Sequence, residues 1–421
     1  MKKVQLIAAL SLITGSALAA PAVEWLPPSA SDLRATSLSA DASLIPASRH
    51  VESSPISFSW GLNTDRQAAV QTVTVDSRQY WLDISGQDLA AGISLPLTAP
   101  GAVIRVSALD SGTGLQLDPA RLQLSVDRRS LDVAALQDIT TGATMQSQGM
   151  SVPEDTLAFR LPADQDIAQL QVRHPGARGD QPLVVHVFEP NSPWVAEMTA
   201  PRSNFLAGEP IDFGIVLAHG QYRFAVDSVE AMLISPDAGQ VWSLARSGER
   251  GLSGAVPLDG LSAAPGLYEA HAYVEHRIKD TVVRRDLKIA FSVAPAAGRF
   301  TGQTRQVGAD VGVLALDLGV EVVSDGRYQI NAEIYGTNLQ GQLEPLAYTQ
   351  SAAVLEAGTG NIRLELDDSL LQSSGLAAPF EIRGLQLLDQ GRMFLLEERQ
   401  HALVIHEGPV RDSDSAGNRM R

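Results

Sequence analysis

Between about residue 56 and residue 408 the chain alternates apolar and polar side chains in short runs. Ile104, Val106 and Ala108 are separated by Arg105 and Ser107, Leu122, Leu124 and Val126 by Gln123 and Ser125, and Ala168, Leu170 and Val172 by Gln169 and Gln171. A period of two sends successive side chains to opposite faces, one toward a core and one toward water, as in an antiparallel sheet. Turn formers such as Asp110-Ser111-Gly112 and Pro175-Gly176 punctuate the runs. From about 56 to 192 no ten-residue stretch carries helical spacing, and Leu131 to Leu136 has room for one short helix. The expected class is all-β: tandem immunoglobulin-like antiparallel β-sandwiches in about three domains.

The pattern divides into a β-sandwich over 56–192, an immunoglobulin-like β-sandwich over 193–296 and a C-terminal β-sandwich module over 297–408. In the second unit, Ile211, Phe213, Ile215 and Leu217 alternate after Gly208-Glu209-Pro210, and Pro236-Asp237-Ala238-Gly239 joins two runs as a hairpin turn. Tyr268 follows Pro265-Gly266 at the start of a late strand, the position of a tyrosine corner. In the third unit, Tyr328, Ile330, Ala332 and Ile334 alternate after Asp325-Gly326. The units are not close sequence repeats, so a solenoid is not expected.

Before the first unit, residues 20–55 are rich in Pro, Ser and Ala with little periodicity, which reads as an extended arm or linker in which Trp25 offers one anchoring point. Residues 1–19 read as a signal peptide. Lys2 and Lys3 precede an apolar run, Leu6 to Ile13, too short to span a bilayer, and Ala17-Leu18-Ala19 supplies the small residues of a cleavage site. The last residues, 409–421, mix Asp, Ser, Gly and Arg and read as a disordered tail.

Composition narrows the function. With 44% hydrophobic and 19% charged residues the chain is globular in character. It has no cysteine, which removes thiol catalysis, iron–sulfur clusters and cysteine-based zinc sites, and leaves the fold to hydrophobic cores in a compartment where disulfides are permitted. The formal net charge of −16 becomes −18 when Lys2 and Lys3 leave with the leader, a surface that repels phosphate backbones and anionic membranes. The expected location is periplasmic or secreted, with no nucleic-acid partner. No later run approaches the length of a membrane span.

The third unit carries more specific features: a Gly-x-Tyr strand (Gly326, Tyr328), a paired-glycine turn (Gly358-Thr359-Gly360) before the alternating Ile362, Leu364 and Leu366, and an Ala378-Pro379-Phe380 strand that ends in Leu385, Leu387 and Asp389. With the signal peptide and two preceding sandwiches, this order resembles the secreted bacterial family filed as domain of unknown function four-seven-eight-five, described as immunoglobulin-like. The resemblance implies the fold and an exported location. It brings no catalytic residues.

Gly251-Leu252-Ser253-Gly254 breaks the Gly-x-Ser-x-Gly spacing and has no following helix, so a serine nucleophile is not expected. His271 and His276, like His401 and His406, stand an odd number of residues apart on predicted strands and point to opposite faces, which argues against a shared metal ion. Asp164 with Asp166 and Asp367 with Asp368 lack the ligand density of a calcium loop. Aromatics make up 5% of the chain, too few for a strong sugar-binding platform, although Trp81 falls on the polar side of its strand with Gln79 and Asp83 while Tyr80 goes with Leu82 and Ile84. An outward Trp81 is a candidate contact; a ring covered by a neighbouring strand or domain is the structural alternative. Arg178-Gly179-Asp180 spells an adhesion tripeptide but sits where a turn requires Gly and Asp in any case.

No catalytic, cofactor or metal residue is assigned, and no cofactor is expected. The expectation is an exported, non-catalytic protein that binds or scaffolds a protein or envelope component. The alternatives are an inhibitor or accessory of a secreted enzyme such as a protease, because the third unit resembles modules found beside such enzymes, and a hydrolase built on sandwich loops. A hydrolase would show a pocket with perturbed acids, a binding protein a groove or open edge.

Overall fold

A computed structural model describes residues 22–41, 52–62, 72–109, 117–136, 138–165, 167–262, 266–279, 281–307 and 314–408. Expectations for the signal peptide, Asp166, the Asp110-Ser111-Gly112 turn and the C-terminal tail fall outside these residues. Among them the chain is nearly all β, and its apolar side chains gather into three main cores, one per sandwich.

The first sandwich packs a five-stranded sheet, ordered Gln79–Ser85, Pro182–Phe188, Val103–Ala108, Leu157–Arg160, Asp138–Thr141, against a four-stranded one. Ile104 and Val106, picked out by their alternation, are fully buried with Leu124, Leu170 and Val172. The helices here are short. Gly86–Ala91 starts at a capping box in which Ser85 and Asp88 satisfy each other's backbone N–H groups, and the stretch Leu131 to Leu136 holds a single 3-10 turn, Val133–Ala135.

In the second sandwich, strands Ser228–Ile234 and Val241–Ser243 pair around the expected hairpin turn, where Asp237 accepts hydrogen bonds from the Ser235 hydroxyl and the Gly239 N–H. Tyr268 is buried and its hydroxyl donates to the Gly260 carbonyl at 3.1 Å while accepting from Ser262 N–H at 2.8 Å, the arrangement of a tyrosine corner. One pairing departs from the antiparallel rule: Asn204–Leu206 runs parallel to Ser292–Ala294. Phe205, Phe213 and Phe291 meet in the core at centroid distances of 5.4 to 6.5 Å.

The third sandwich sets a six-stranded sheet against the three-stranded Gly298–Val307, Ala315–Val322, Gly358–Glu365 sheet. The features of the resemblance have structural duties here. Tyr328 is fully buried with its hydroxyl on the Ser324 carbonyl at 2.8 Å, and Asp389 folds the Asp389–Arg392 turn by accepting from Gly391 N–H, Arg392 N–H and the Arg392 guanidinium.

Over its described part the arm is extended and tied down at Trp25: Val23–Trp25 pairs with the final strand Phe394–Ile405, and Trp25 Nε1–H donates to Thr304 at 2.8 Å. One assignment made from the sequence needs correction. Ile56–Gly61, placed in the first sandwich, pairs with Leu343–Leu355 of the third, and Val73–Ser77, placed there too, pairs with Trp194–Ala200 of the second. Alternation tells a strand which side faces a core. It does not say whose core, because the partner strand is chosen by long-range packing.

Candidate functional site

The first and second sandwiches meet at a buried ion pair. Glu189, just past strand Pro182–Phe188, and Arg285, in strand Thr281–Ala294, both have fully buried side chains and lie 2.8 Å apart. The guanidinium also donates to Thr98 Oγ1, Ser192 Oγ and the Trp194 carbonyl, and the carboxylate accepts from Thr98 and Ala99 N–H. With each polar edge occupied, desolvation of the two charges is offset by directed bonds across the joint.

Beside this joint opens a cleft of about 540 Å³. One wall is the outer side of strand Gln79–Ser85, which presents Gln79, Trp81 and Asp83, while Tyr80 points the other way into the core. The opposite wall is the outer face of the second sandwich. There Glu230, Tyr273 and Asp286 stand in one cross-strand row, and Met232, His271 and Lys288 in the next. The intervening Ala272 and Leu287 are buried in the core, so period two alone accounts for the outward six. Alternation in strand Thr281–Ala294 thus sends Arg285 into the joint and its neighbour Asp286 into the cleft.

Trp81 is 36% exposed, so neither sequence alternative holds entire. Its backbone N–H donates to Asp286 Oδ2 at 2.6 Å across the domain boundary, its ring stacks on His186 at 3.9 Å, and the Arg105 guanidinium lies 5.5 Å from the ring centroid. His186 stands opposite Trp81 in register and Arg105 opposite His186, making an aromatic–cation row on the outer face. Burial, with a smaller contribution from Arg105, pushes His186 down to about 4 and keeps its imidazole neutral near pH 7. Burial pushes Asp286 up to about 6, the Trp81 N–H working against this and the Asp83 charge adding to it. Lys288 and His271 both rest on Glu269, at 2.8 and 2.9 Å.

Comparison with known families is decisive on kinship. Residues 47–189 match the model described as domain of unknown function (DUF4785) N-terminal domain, and residues 297–406 match the DUF4785 C-terminal domain, together more than half of the chain. The chain belongs to the DUF4785 family. A crystal structure of a DUF4785 family protein from Legionella pneumophila aligns with a TM-score of 0.66 at 17% identity, covering 90% of this chain and 98% of that one, which shows a shared fold. A 1.5-MDa bacterial ice-binding adhesin (TM-score 0.18, 13% identity, 49% of this chain and 60% of that one) and squid arrestin (0.15, 9%, 51% and 94%) align too weakly to carry an argument. No curated protein matches.

In this DUF4785 chain the other sequence-picked residues do not converge. His271 pairs with Glu269, His276 with Asp227 at 3.2 Å, His401 with Glu381 at 2.6 Å and His406 with Glu24 at 3.1 Å, each with its own carboxylate. Among the described residues no group of three or more His, Asp or Glu side chains is placed to share a metal ion. Ser253 lies mid-strand opposite Asp212 and Ala245. Asp367 caps helix Asp368–Ser374 through Ser369, and Arg178-Gly179-Asp180 forms an exposed turn with Gly179 at φ 70°. Sequence reasoning reached Trp81 and missed Asp286, Glu230 and His186, which join it only through tertiary packing.

The position of Asp286 has a cost that pH exposes. Its folded value lies above the ordinary carboxylate value of about 4. The native state therefore holds the proton more tightly, and this contribution to stability is complete below about pH 4 and lost as pH rises through about 6. Asp286→Asn is expected to match wild type in thermal midpoint at pH 4 and to exceed it at pH 8. A gap that does not change between the two pH values overturns the assignment.

Proposed function

We propose that this DUF4785 chain is an exported, non-catalytic binding protein that holds its ligand in the cleft between the first and second sandwiches. The observation that carries the reading is the cleft itself, with a half-exposed indole, outward carboxylates and a buried, hydrogen-bonded joint at its side. Such sites bind best when their walls need no reordering, and the Arg285–Glu189 pair provides that. The lining has no serine or threonine, and its one hydroxyl, that of Tyr273, donates to Glu275 at 3.0 Å. Export is supported by the leader pattern and the absence of cysteine.

The test is crosslinking in cells followed by affinity capture of the full tagged chain, wild type beside Trp81→Ala. A stoichiometric envelope or secreted partner lost with Trp81→Ala supports the reading, and a captured protease specifies the accessory role. The same proteins retained by both forms count against the cleft.

A second reading rests on one observation. Asp286, raised to about 6 beside Asp83, has the protonation behaviour of a general acid paired with a carboxylate. Turnover of a chromogenic glycoside by wild type but not by Asp286→Asn would favour that hydrolase reading over binding alone.

A further inference from the structure

We infer that the cleft between the first two sandwiches takes an organic cation, an ammonium or guanidinium group seated between Trp81 and the carboxylates of Asp83, Glu230 and Asp286. The inference rests on the cleft being a ligand site and names the chemistry of its ligand.

The charges on the two walls do not balance. On the second-sandwich wall the Lys288 ammonium is paired with Glu269, which is outside the lining, and the His271 imidazole is hydrogen-bonded to the same carboxylate. That leaves Asp83, Glu230 and Asp286 facing the cleft, and none of the three makes an ion pair within the described residues. Asp286 is the most confined. Its one hydrogen bond comes from Trp81 N–H to Oδ2, so Oδ1 keeps its capacity to accept.

Spacing selects the kind of cation. The three carboxylates do not form a group able to share a single metal ion. A point charge at any one of them leaves the others uncompensated. An extended cation, or one with several donors, reaches more than one carboxylate while its alkyl part covers Met232 and Val184. The Trp81 ring is already stacked on His186 and 5.5 Å from the Arg105 guanidinium, so the indole shapes one side of the seat and the attraction on the guest comes from the carboxylates. A phosphate or carboxylate ligand would meet the three carboxylates, and a neutral sugar would leave their charge unanswered.

The chemistry has two sources, a free polyamine or a basic side chain of a polypeptide, and the experiment separates them. Isothermal titration of the full chain uses spermidine, an acetylated and amidated Lys-Arg hexapeptide, maltotriose and citrate. Spermidine or the peptide is expected to bind with one-to-one stoichiometry. That affinity should fall about tenfold in Asp286→Asn and again in Trp81→Ala, and should weaken in high salt. Asp212→Asn removes an equal charge from an exposed strand position in the other sheet of the second sandwich and is expected to leave binding unchanged. Tighter binding of spermidine identifies a small-molecule guest; tighter binding of the peptide identifies a protein tail.

Cation binding that Asp286→Asn and Trp81→Ala leave intact is adventitious attraction to an acidic surface and overturns the inference, as does the absence of binding by both cations. Maltotriose binding lost with Trp81→Ala but kept in Asp286→Asn overturns the cation while leaving the cleft reading in place. If all four probes fail and capture from cells is also indifferent to Trp81, both readings fall.

Discussion

Replacing Arg285 by alanine is expected to cost about 3–5 kcal/mol, because it leaves Glu189 as an unpaired charge in a fully buried joint. The guanidinium bridges the carboxylate, two hydroxyls and a main-chain carbonyl contributed by segments 98–99 and 189–194, so its removal orphans several groups together. Taking a urea slope of about 2–3 kcal/mol per molar for a unit of this size, the midpoint of the transition should drop by about 1–2.5 M. Trp81 and Trp194, on either side of the joint, report it by fluorescence. The companion variant separates pairing from polarity. Arg285→Met combined with Glu189→Leu removes both charges and is expected to recover most of the loss, as buried pairs exchanged for apolar residues commonly do. A single variant that loses less than about 1 kcal/mol would show that water reaches Glu189 and that the joint is not closed. The same variant should weaken any ligand of the cleft, since Asp286 is the next residue on the strand and Trp81 is tied to it.

How far this arrangement can be read from the sequence depends on distance along the chain. Short-range signals are visible. The split of Tyr80 to the core and Trp81 to the outer face follows from alternation, and Tyr268 after a Pro-Gly turn led to its corner. Ser85 and Asp88 form a capping box whose spacing is written in the sequence, although a six-residue helix shows too little periodicity to stand out. Long-range choices are not visible. Ile56, Phe58 and Trp60 alternate as a strand should, yet their partners are Ala352, Gln350 and Tyr348, nearly 300 residues away. The cleft is the extreme case: its carboxylates stand at 83, 230 and 286, on three strands of two sandwiches, with no motif linking them. The Arg285–Glu189 pair is hidden for the same reason, since an arginine within the charged run Arg284-Arg285-Asp286 and a glutamate just past a strand end read as solvent-facing positions until a partner domain covers them.

The second junction, between sandwiches two and three, predicts an effect of similar size with a different signature. Arg399→Ala is expected to cost about 3–5 kcal/mol and to free the N-terminal arm before the sandwiches unfold. Arg399 is almost wholly buried. Its guanidinium donates to the Leu26 carbonyl at 2.8 Å, lies 3.3 Å from Asp32 and 3.7 Å from Glu397, and the two carboxylates are themselves buried. Removing it leaves the two buried acids with only the half-exposed Arg34, 3.9 Å from Glu397, as a nearby cation; burial already holds Glu397 above the ordinary value, and Asp32 adds to the rise. The arm is otherwise held by strand Val23–Trp25, the Trp25–Thr304 bond, the reciprocal backbone bonds of Leu33 with Glu398, the Gln400 N–H on Asp32, the Arg299 guanidinium on the Thr36 carbonyl, and a small apolar plug of Leu33 and Ala35 against Leu206 and Ala294. Arg202 reaches the Asp32 carbonyl from the second sandwich, so the arm is clamped by both neighbours and its release should loosen their contact. Hydrogen exchange across residues 22–41 measures this directly. Protection there should collapse in Arg399→Ala while strand Gly326–Thr337 in the core of the third sandwich stays protected under native conditions. Arg399→Lys should fall between, because an ammonium keeps the charge but cannot span Leu26 and Asp32 with a planar fork. Uniform loss of protection through the third sandwich would instead make Arg399 a core residue of that domain and the arm a passive edge strand.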